Sequence, residues 1–157
     1  MRKRIINHDA QKSSPVDEGW LDLEKLAQVE TSSEQAQHPI EAALLPGASS
    51  GWRAAAPGQQ LVRLIFDKSQ NLRLIHLVFD EHERERLQEY TLRWSSGFGQ
   101  PYREIVRQQY NFSPPTTTTE VEDHTVNLDS CAELELMIVP DLRGSAAHAS
   151  IAEFRVA

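Results

Sequence analysis

Hydrophobic and polar side chains alternate along the chain from residue 60 onward, with the two-residue period of a β-strand. In the first of these runs Val62, Leu64 and Phe66 share one face, and the next run is apolar on both faces apart from Arg73 and His76. A strand that is apolar on both faces is typical of the centre of a sheet. The pattern predicts strands over residues 60–66, 72–79, 90–94, 102–112, 119–128, 134–139 and 149–156.

Turn-forming residues separate these runs. Clusters of Gly, Pro, Asn, Asp and Ser occur at residues 67–71, 95–101, 113–115, 127–130 and 140–145. Short strands at such regular spacing predict an antiparallel β-sandwich or jelly roll.

Residues 80–94 allow a second interpretation. Leu87, Tyr90 and Trp94 also fall at helical spacing, so a helix is the main alternative there. We favour a charged loop followed by a strand, because Thr91 favours β-structure and strand-like runs lie on both sides.

The N-terminal part of the chain predicts little regular structure. Residues 1–18 are polar, and we expect a flexible tail there, followed by a single domain over residues 19–157. Residues 20–30 fit either a helical turn or a strand, and we favour a short turn that runs into a first strand. Pro39 stands where a helix would start and apolar residues follow up to Leu44, which predicts one short helix.

Length and composition match one globular domain, with 157 residues, 39% of them hydrophobic and 25% charged. The formal charge of −7 disfavours nucleic acid as a partner, because phosphate contacts need clustered Lys and Arg. The basic cluster at residues 2–4 is not followed by the apolar stretch of a secretory signal, and no window is apolar enough for a membrane span. We therefore expect a cytoplasmic protein with no membrane partner. The single Cys131 excludes an internal disulfide.

The sequence lacks catalytic and metal-binding motifs. The histidines are scattered without a His-x-x-x-His pair, so we expect no metal and no cofactor. The string from Gly47 to Gly51 has the Gly-x-Ser-x-Gly spacing of a nucleophile elbow, but it follows a predicted helix instead of a strand. We interpret it as a loop. The sequence therefore predicts that the protein is not an enzyme.

Aromatic and arginine side chains are the candidates for ligand binding, because aromatic faces stack on sugar rings and Arg offers a planar fork of donors. The candidate ligand-binding residues are Trp52, Arg53, Arg107, Gln109 and Tyr110. The alternative for Trp52 is a core position, and the alternative for Arg107 and Gln109 is the outward face of a sheet. The charged run at residues 82–86 is interpreted as solvated.

Four short segments precede or enter the first long strand run: TSSE at residues 31–34, HPIEAAL at 38–44, GWRAA at 51–55 and PGQQ at 57–60. Together they resemble the discoidin-like, or galactose-binding-like, domain superfamily, over most of the chain from about residue 26 to the end. The same order of segments is similar to the amino-terminal domain of the animal single-strand-break repair scaffold. The resemblance implies an all-β, antiparallel jelly-roll β-sandwich of eight or nine strands, with one short helix near the N-terminus and ligand loops at one end. It also implies a structural role for Trp52.

Domains of that superfamily bind glycans, phospholipid headgroups, proteins or nicked DNA, so the resemblance implies a non-enzymatic binding module. We expect a carbohydrate ligand, bound by loop aromatics and by Arg and Gln side chains. The alternatives are a protein–protein adaptor that uses the strand at residues 102–112 and, third, a nucleic-acid-binding domain. The chain departs from the secreted members, because it has neither a signal nor their bracketing pair of cysteines.

Overall fold

The structure is a computed structural model that describes residues 19–47 and 50–157. The tail predicted for residues 1–18, and two positions of the predicted loop after the short helix, lie outside the described residues. Within the described residues, two single-turn helices occur near the N-terminal end, α1 (Leu23–Leu26) and α2 (Glu41–Leu44). The strands are β1 (Ala27–Thr31), β2 (Trp52–Pro57), β3 (Gln60–Asp80), β4 (Arg86–Ser95), β5 (Arg103–Phe112), β6 (Thr119–Val139), β7 (His148–Ile151) and β8 (Glu153–Val156).

The long strands β3 and β6 organise the sandwich. They pair antiparallel along their whole length, from Gln60 opposite Ile138 to Asp80 opposite Thr119. The first half of β3 also pairs with β1 and the second half with β8, while the second half of β6 pairs with β4. The sheet order is β1-β3-β6-β4-β5 with β8 joined to β3, and β2 pairs with β7 separately. The two long strands therefore pass from one layer of the sandwich into the other.

Two of the predicted turns are wrong. Residues 67–71 and 127–130 do not reverse the chain, because each lies inside a single continuous strand of 21 residues. The β3–β6 register shifts at this point, and Ser130 adopts a left-handed φ of 57°. The Ser130 N–H donates to Asn71 Oδ1 at 2.9 Å. The polar residues that resemble a turn in the sequence instead form a bulged bend, where strands change layers.

Most of the other predicted strands and helices agree with the structure in type, but the predicted loop after the short helix runs into a strand that was not predicted, β2 (Trp52–Pro57). Residues 81–85 form a loop and β4 follows as a strand, so the helical alternative for residues 80–94 is excluded. The short helix predicted after Pro39 is α2, and the turn predicted before the first strand is α1. The predicted last strand is divided in two, because β7 pairs with β2 whereas β8 pairs with β3. Neither α1 nor α2, nor any other described helix, is long and apolar enough to cross a membrane.

The hydrophobic core lies between the two layers. Phe79 on β3 and Tyr90 on β4 belong to strands that do not pair, yet their ring centroids are 5.2 Å apart across the sandwich. The buried side chains of the strands alternate as the sequence predicts, and they include Val62, Leu64, Phe66, Ile75, Leu77, Leu92, Leu134, Leu136, Ile138, Phe154 and Val156. Cys131 is also buried, and burial raises the pKa of its thiol to about 12, so it stays protonated and inert.

Candidate ligand-binding cleft

Trp52, at the start of β2, belongs to the core. Its side chain is only 1% exposed, and its indole Nε1 donates to the carbonyl oxygen of Ser33 at 3.0 Å. A buried indole with its one donor satisfied cannot offer a face to a sugar ring. The structure therefore selects the core interpretation of this residue over the ligand-stacking one.

The backbone around Trp52 holds the next residue, Arg53, at the surface. The Arg53 N–H donates to His38 O at 3.1 Å, and its carbonyl oxygen accepts from Gln35 N–H at 2.9 Å. Gly51 allows this arrangement, because its φ is 66° and an added Cβ would lie 2.7 Å from Ile151 O. Only glycine tolerates both the left-handed backbone and such a close approach.

A cleft of about 250 Å³ opens beside Arg53, at the end of the sandwich where β3 ends and β2 begins. We call it the main cleft, and its lining side chains are mostly polar. They come from His38, Ser50, Trp52, Arg53, Asp80, Glu81, His82, Glu83 and Ser150. The lining therefore offers both hydrogen-bond donors and acceptors in a concave site, as small polar ligands require.

Arg53 is the strongest candidate donor of the main cleft. Among the described residues only its backbone takes part in hydrogen bonds, so its guanidinium is available to a ligand. The main cleft also contains the carboxylates of Asp80 and Glu83 as acceptors. Asp80 Oδ1 already accepts from Thr119 Oγ1 at 3.1 Å. The Glu83 carboxylate accepts no hydrogen bond from the described residues, since only the backbone N–H of Glu83 takes part in one. His38 Nδ1 lies 3.1 Å from Ser50 O and donates to it, since a carbonyl oxygen can only accept.

Glu81 fixes the loop of residues 81–85 against the sandwich. Its Oε1 accepts from Arg86 Nε at 2.7 Å, and its Oε2 accepts from the backbone N–H of Glu83 at 3.0 Å. Burial alone would raise the pKa of Glu81, but the hydrogen bonds from Glu83 and Arg86 outweigh burial and hold that pKa below its usual value. Glu81 therefore remains a carboxylate that shapes one wall of the main cleft.

Arg86 corrects the prediction that the run at residues 82–86 is solvated. Its side chain is fully buried, and its guanidinium lies 4.6 Å from the ring centroid of Phe112. Nη1 donates to Gln88 Oε1 at 2.9 Å and to Pro140 O at 3.1 Å. Burial lowers the pKa of Arg86, and the positive charge of Arg53 acts in the same direction. Arg86 is therefore a buried residue that holds Glu81, and with it one wall of the main cleft, in place.

A smaller cavity of about 70 Å³ lies beside the main cleft, and we call it the side pocket. It shares Arg53, Glu81 and Glu83 with the main cleft. Its other lining residues are Arg84, Ala146, Ala147 and His148. Because three residues line both cavities, the side pocket and the main cleft are direct neighbours.

The three candidates on β5 lie elsewhere. Arg107 Nη1 and Gln109 Nε2 both donate to the carboxylate of Glu89, at 3.0 and 2.9 Å, and Arg107 and Gln109 are exposed. The Tyr110 hydroxyl donates to Thr119 O at 3.1 Å. No β5 residue is among the described residues that line the main cleft. The structure therefore brings Trp52 and Arg53 together and leaves Arg107, Gln109 and Tyr110 on a separate strand.

Several cleft residues were not candidates from the sequence. His38 precedes α2, Asp80 ends β3 and Ser150 belongs to β7, and these positions are far apart along the chain. His38 and Asp80 flank or end a regular element, which is where binding residues concentrate, but many polar residues share that signal, and Ser150 inside β7 lacks it. In the described part of the chain, no group of three or more His, Cys, Asp or Glu side chains could hold a metal ion.

Solved structures with the same architecture include carbohydrate-binding modules. The family 32 carbohydrate-binding module of Clostridium perfringens NanJ, solved in complex with galactose, is similar with a TM-score of 0.62 and 17% identity, over 87% of this chain and 96% of that one. A family 32 module from a family 31 glycoside hydrolase of the same organism is similar with a TM-score of 0.62 and 18% identity, over 89% and 95% of the two chains.

A protein solved in complex with a polymerase domain has the same architecture. XRCC1, solved in its reduced form bound to the catalytic domain of DNA polymerase β, is similar with a TM-score of 0.58 and 15% identity, over 84% of this chain and 95% of that one. No protein-family model matches the sequence, and no curated protein matches it. At these identities the likenesses show the fold alone, and they confirm the predicted all-β, antiparallel sandwich.

Proposed function

We propose that this chain is a non-enzymatic binding module whose ligand is a carbohydrate held in the main cleft. The observation that carries the proposal is the position of Arg53, whose guanidinium faces a concave polar site and is engaged by no described residue. The likeness to the NanJ module in complex with galactose supports the same class of ligand. A sugar presents hydroxyl groups that both donate and accept, and the lining of the main cleft offers partners for both.

The chemistry of binding follows from the lining. Arg53 donates to ligand hydroxyl oxygens, while the carboxylates of Asp80 and Glu83 accept from ligand O–H groups. Trp52 contributes through its position in the core and not by stacking, because its ring is buried. Without an exposed aromatic platform the site buries little apolar ligand surface, and we expect weak, rapidly reversible binding.

A titration followed by protein-observed NMR tests the proposal, with sugars chosen from the hits of a glycan array. Arg53→Ala should weaken binding by about tenfold or more, because a hydrogen bond to a charged group contributes about 1.5–3 kcal/mol. Arg107→Ala is the matched control, since it removes an exposed arginine that does not line the main cleft. A glycan array without any hit would refute the carbohydrate ligand, and equal loss in both variants would refute the placement.

A second candidate function is a protein–protein adaptor that uses the outer surface of β5. This strand is the edge of its sheet, and it displays Arg107 and Gln109 to solvent. The likeness to XRCC1, which was solved bound to the catalytic domain of DNA polymerase β, favours this alternative. If it holds, a partner that co-purifies in stoichiometric amount should be lost with the double variant Arg107→Ala, Gln109→Ala and kept with Arg53→Ala.

A further inference from the structure

We propose, on the basis of the carbohydrate-binding function above, that the bound sugar carries a neutral acetamido group, which occupies the side pocket while the sugar ring occupies the main cleft. The main cleft indicates a sugar of any kind, whereas the side pocket indicates which substituent the sugar carries. It rests on the size of the side pocket, on its two alanine side chains, and on the hydrogen-bonding groups around them.

The size of the side pocket suits a substituent and not a ring. Its volume is about 70 Å³, against about 250 Å³ for the main cleft. Since about 10–15 Å³ of such volume holds one water molecule, the side pocket holds about five to seven heavy atoms. An acetamido group, with its nitrogen, carbonyl and methyl, is within that limit. Because Arg53, Glu81 and Glu83 line both cavities, a substituent on a ring in the main cleft can enter the side pocket directly.

The apolar part of the side pocket is formed by Ala146 and Ala147. Ala147 is buried, and its carbonyl oxygen accepts from Gly58 N–H at 3.2 Å, which fixes this part of the chain beside β2. The side chains of both residues are single methyl groups. They provide a small apolar contact for a ligand methyl and leave no room for a longer chain.

The polar part of the side pocket matches the two hydrogen-bonding groups of an amide. His148 Nδ1 lies 2.9 Å from Ala54 O and therefore donates to it, so in this tautomer Nε2 is the acceptor that the amide N–H requires. The amide carbonyl needs a donor, and the guanidinium groups of Arg53 and Arg84 supply one. Only the backbone N–H of Arg84 takes part in hydrogen bonds among the described residues, at 3.4 Å to Glu81 Oε2.

The charges around the two cavities distinguish the acetamido group from charged substituents. A uronic acid in the main cleft would meet the three carboxylates of Asp80, Glu81 and Glu83 against the one guanidinium of Arg53, so it would be repelled. In the side pocket the two arginines, Arg53 and Arg84, balance the carboxylates of Glu81 and Glu83, so a free ammonium gains no net attraction there, and it would have no methyl to place against Ala146. A neutral group that both donates and accepts therefore fits the side pocket better than either charged form.

The test is an NMR titration of the full chain with galactose, galactosamine, N-acetylgalactosamine and galacturonate, and with their gluco counterparts. The acetamido sugars should bind about tenfold tighter than the parent sugars, which is the low end of the discrimination that one well-placed group gives. Ala146→Leu fills the side pocket from an exposed position, so it should abolish that preference. Ala36→Leu, at another exposed alanine that lines neither cavity, should keep the preference.

The outcomes separate this proposal from the function on which it rests. Equal affinity for parent and acetamido sugars, or tighter binding of the amino sugars, would overturn the acetamido assignment and leave carbohydrate binding intact. A preference that survives Ala146→Leu would overturn the assignment to the side pocket. Failure of every sugar in both series to bind would overturn the proposed function itself and the acetamido assignment with it.

Discussion

Arg86 donates a hydrogen bond through Nε to Oε1 of Glu81 at 2.7 Å, and this pair connects the core of the sandwich to the wall of the main cleft. Arg86 is fully buried, whereas Glu81 lines both the main cleft and the side pocket. The position of the loop of residues 81–85 therefore depends on a buried charge.

Arg86→Met should lower the free energy of unfolding by about 3 kcal/mol, because breaking a buried ion pair leaves the remaining partner without its counter-charge. The measurement is chemical denaturation at neutral pH. Arg84→Met is the matched control, because the Arg84 side chain is exposed and its loss should change stability by no more than about 0.5 kcal/mol. Equal effects of the two substitutions would contradict the role assigned to the buried pair.

Glu120 should make the stability of the protein fall as the pH rises. Burial raises the pKa of this carboxyl from 4.5 to about 8, and the hydrogen bond and charge of Glu122 act in the same direction. The folded protein therefore prefers the protonated form. This preference adds to the free energy of unfolding, and its contribution is complete at low pH. The contribution is lost as the pH rises from about 4.5 to about 8, by up to about 1.4 kcal/mol per pH unit.

Glu120→Gln isolates this effect, since glutamine keeps the shape of the side chain and cannot ionise. Denaturation midpoints at about pH 5 and about pH 8.5 should diverge between the wild type and the variant, with the variant more stable at the higher pH. The hydrogen bond from Gln88 Nε2 to Glu120 Oε1, 3.2 Å long, can form to either residue. Parallel pH profiles for the two proteins would show that Glu120 ionises normally in the folded state.

Glu135 should contribute more to stability than any other acid in its row of charges. A row of charged residues crosses the sheet, with each residue opposite the next on the neighbouring strand: Glu30 on β1, Arg63 on β3, Glu135 on β6, Arg93 on β4 and Glu104 on β5. Negative and positive charges therefore alternate across the sheet. Glu135 is 1% exposed and accepts from both arginines, including Arg63 Nη2 at 2.8 Å. Glu135→Ala should cost about 3 kcal/mol, as expected for a buried pair.

The control for Glu135→Ala is Glu30→Ala at the exposed end of the same row. Glu30 also accepts from Arg63, at 2.9 Å, but its side chain is half exposed, and exposed pairs contribute only about 0–1 kcal/mol. Denaturant midpoints of the two variants at low and high salt measure the difference. A larger loss for Glu30→Ala than for Glu135→Ala would contradict the importance of the buried position.

Gly51→Ala should destabilise the protein more than Gly58→Ala. Both glycines have a left-handed φ, of 66° and 85°, so alanine costs about 1–2 kcal/mol at either site. Only at Gly51 does the added Cβ also meet the backbone, 2.7 Å from Ile151 O. Because β2 would have to move away from β7, Gly51→Ala should also weaken ligand binding in an NMR titration. Equal stability of the two variants would show that the close approach is relieved without cost.

The strand pattern could be predicted from the sequence, and the connections between strands could not. Alternation of Val62, Leu64 and Phe66 reports burial on one face, which is a local property. Whether the polar segment after Phe66 reverses the chain or bends it depends on its partner strand, which lies some sixty residues away and shifts register there. The pairing of β3 with β6 therefore determines whether this segment turns or bends, and its own residues do not.

The candidate site could be predicted only in part, for the same reason. Arg53 is recognisable because it follows Trp52 in the short segment between the predicted helix and the first long strand run, although the structure places both residues in β2. His38, Asp80 and Ser150 become neighbours only when β2, β3 and β7 come together. The sequence predicts an exposed Arg86, because runs of charged residues are usually at the surface. The hydrogen bond to Glu81 that allows Arg86 to be buried is visible only in the fold.

The most direct measurement is a map of NMR chemical-shift changes in the full chain when a sugar from the glycan array is added. If the sugar binds in the main cleft, the largest chemical-shift changes occur there, at Arg53, His38, the loop of residues 81–85 and Ser150. These changes should disappear in Arg53→Ala. Changes confined to β5, around Arg107 and Gln109, would contradict the account, because they would place the ligand on the outer surface of the sheet.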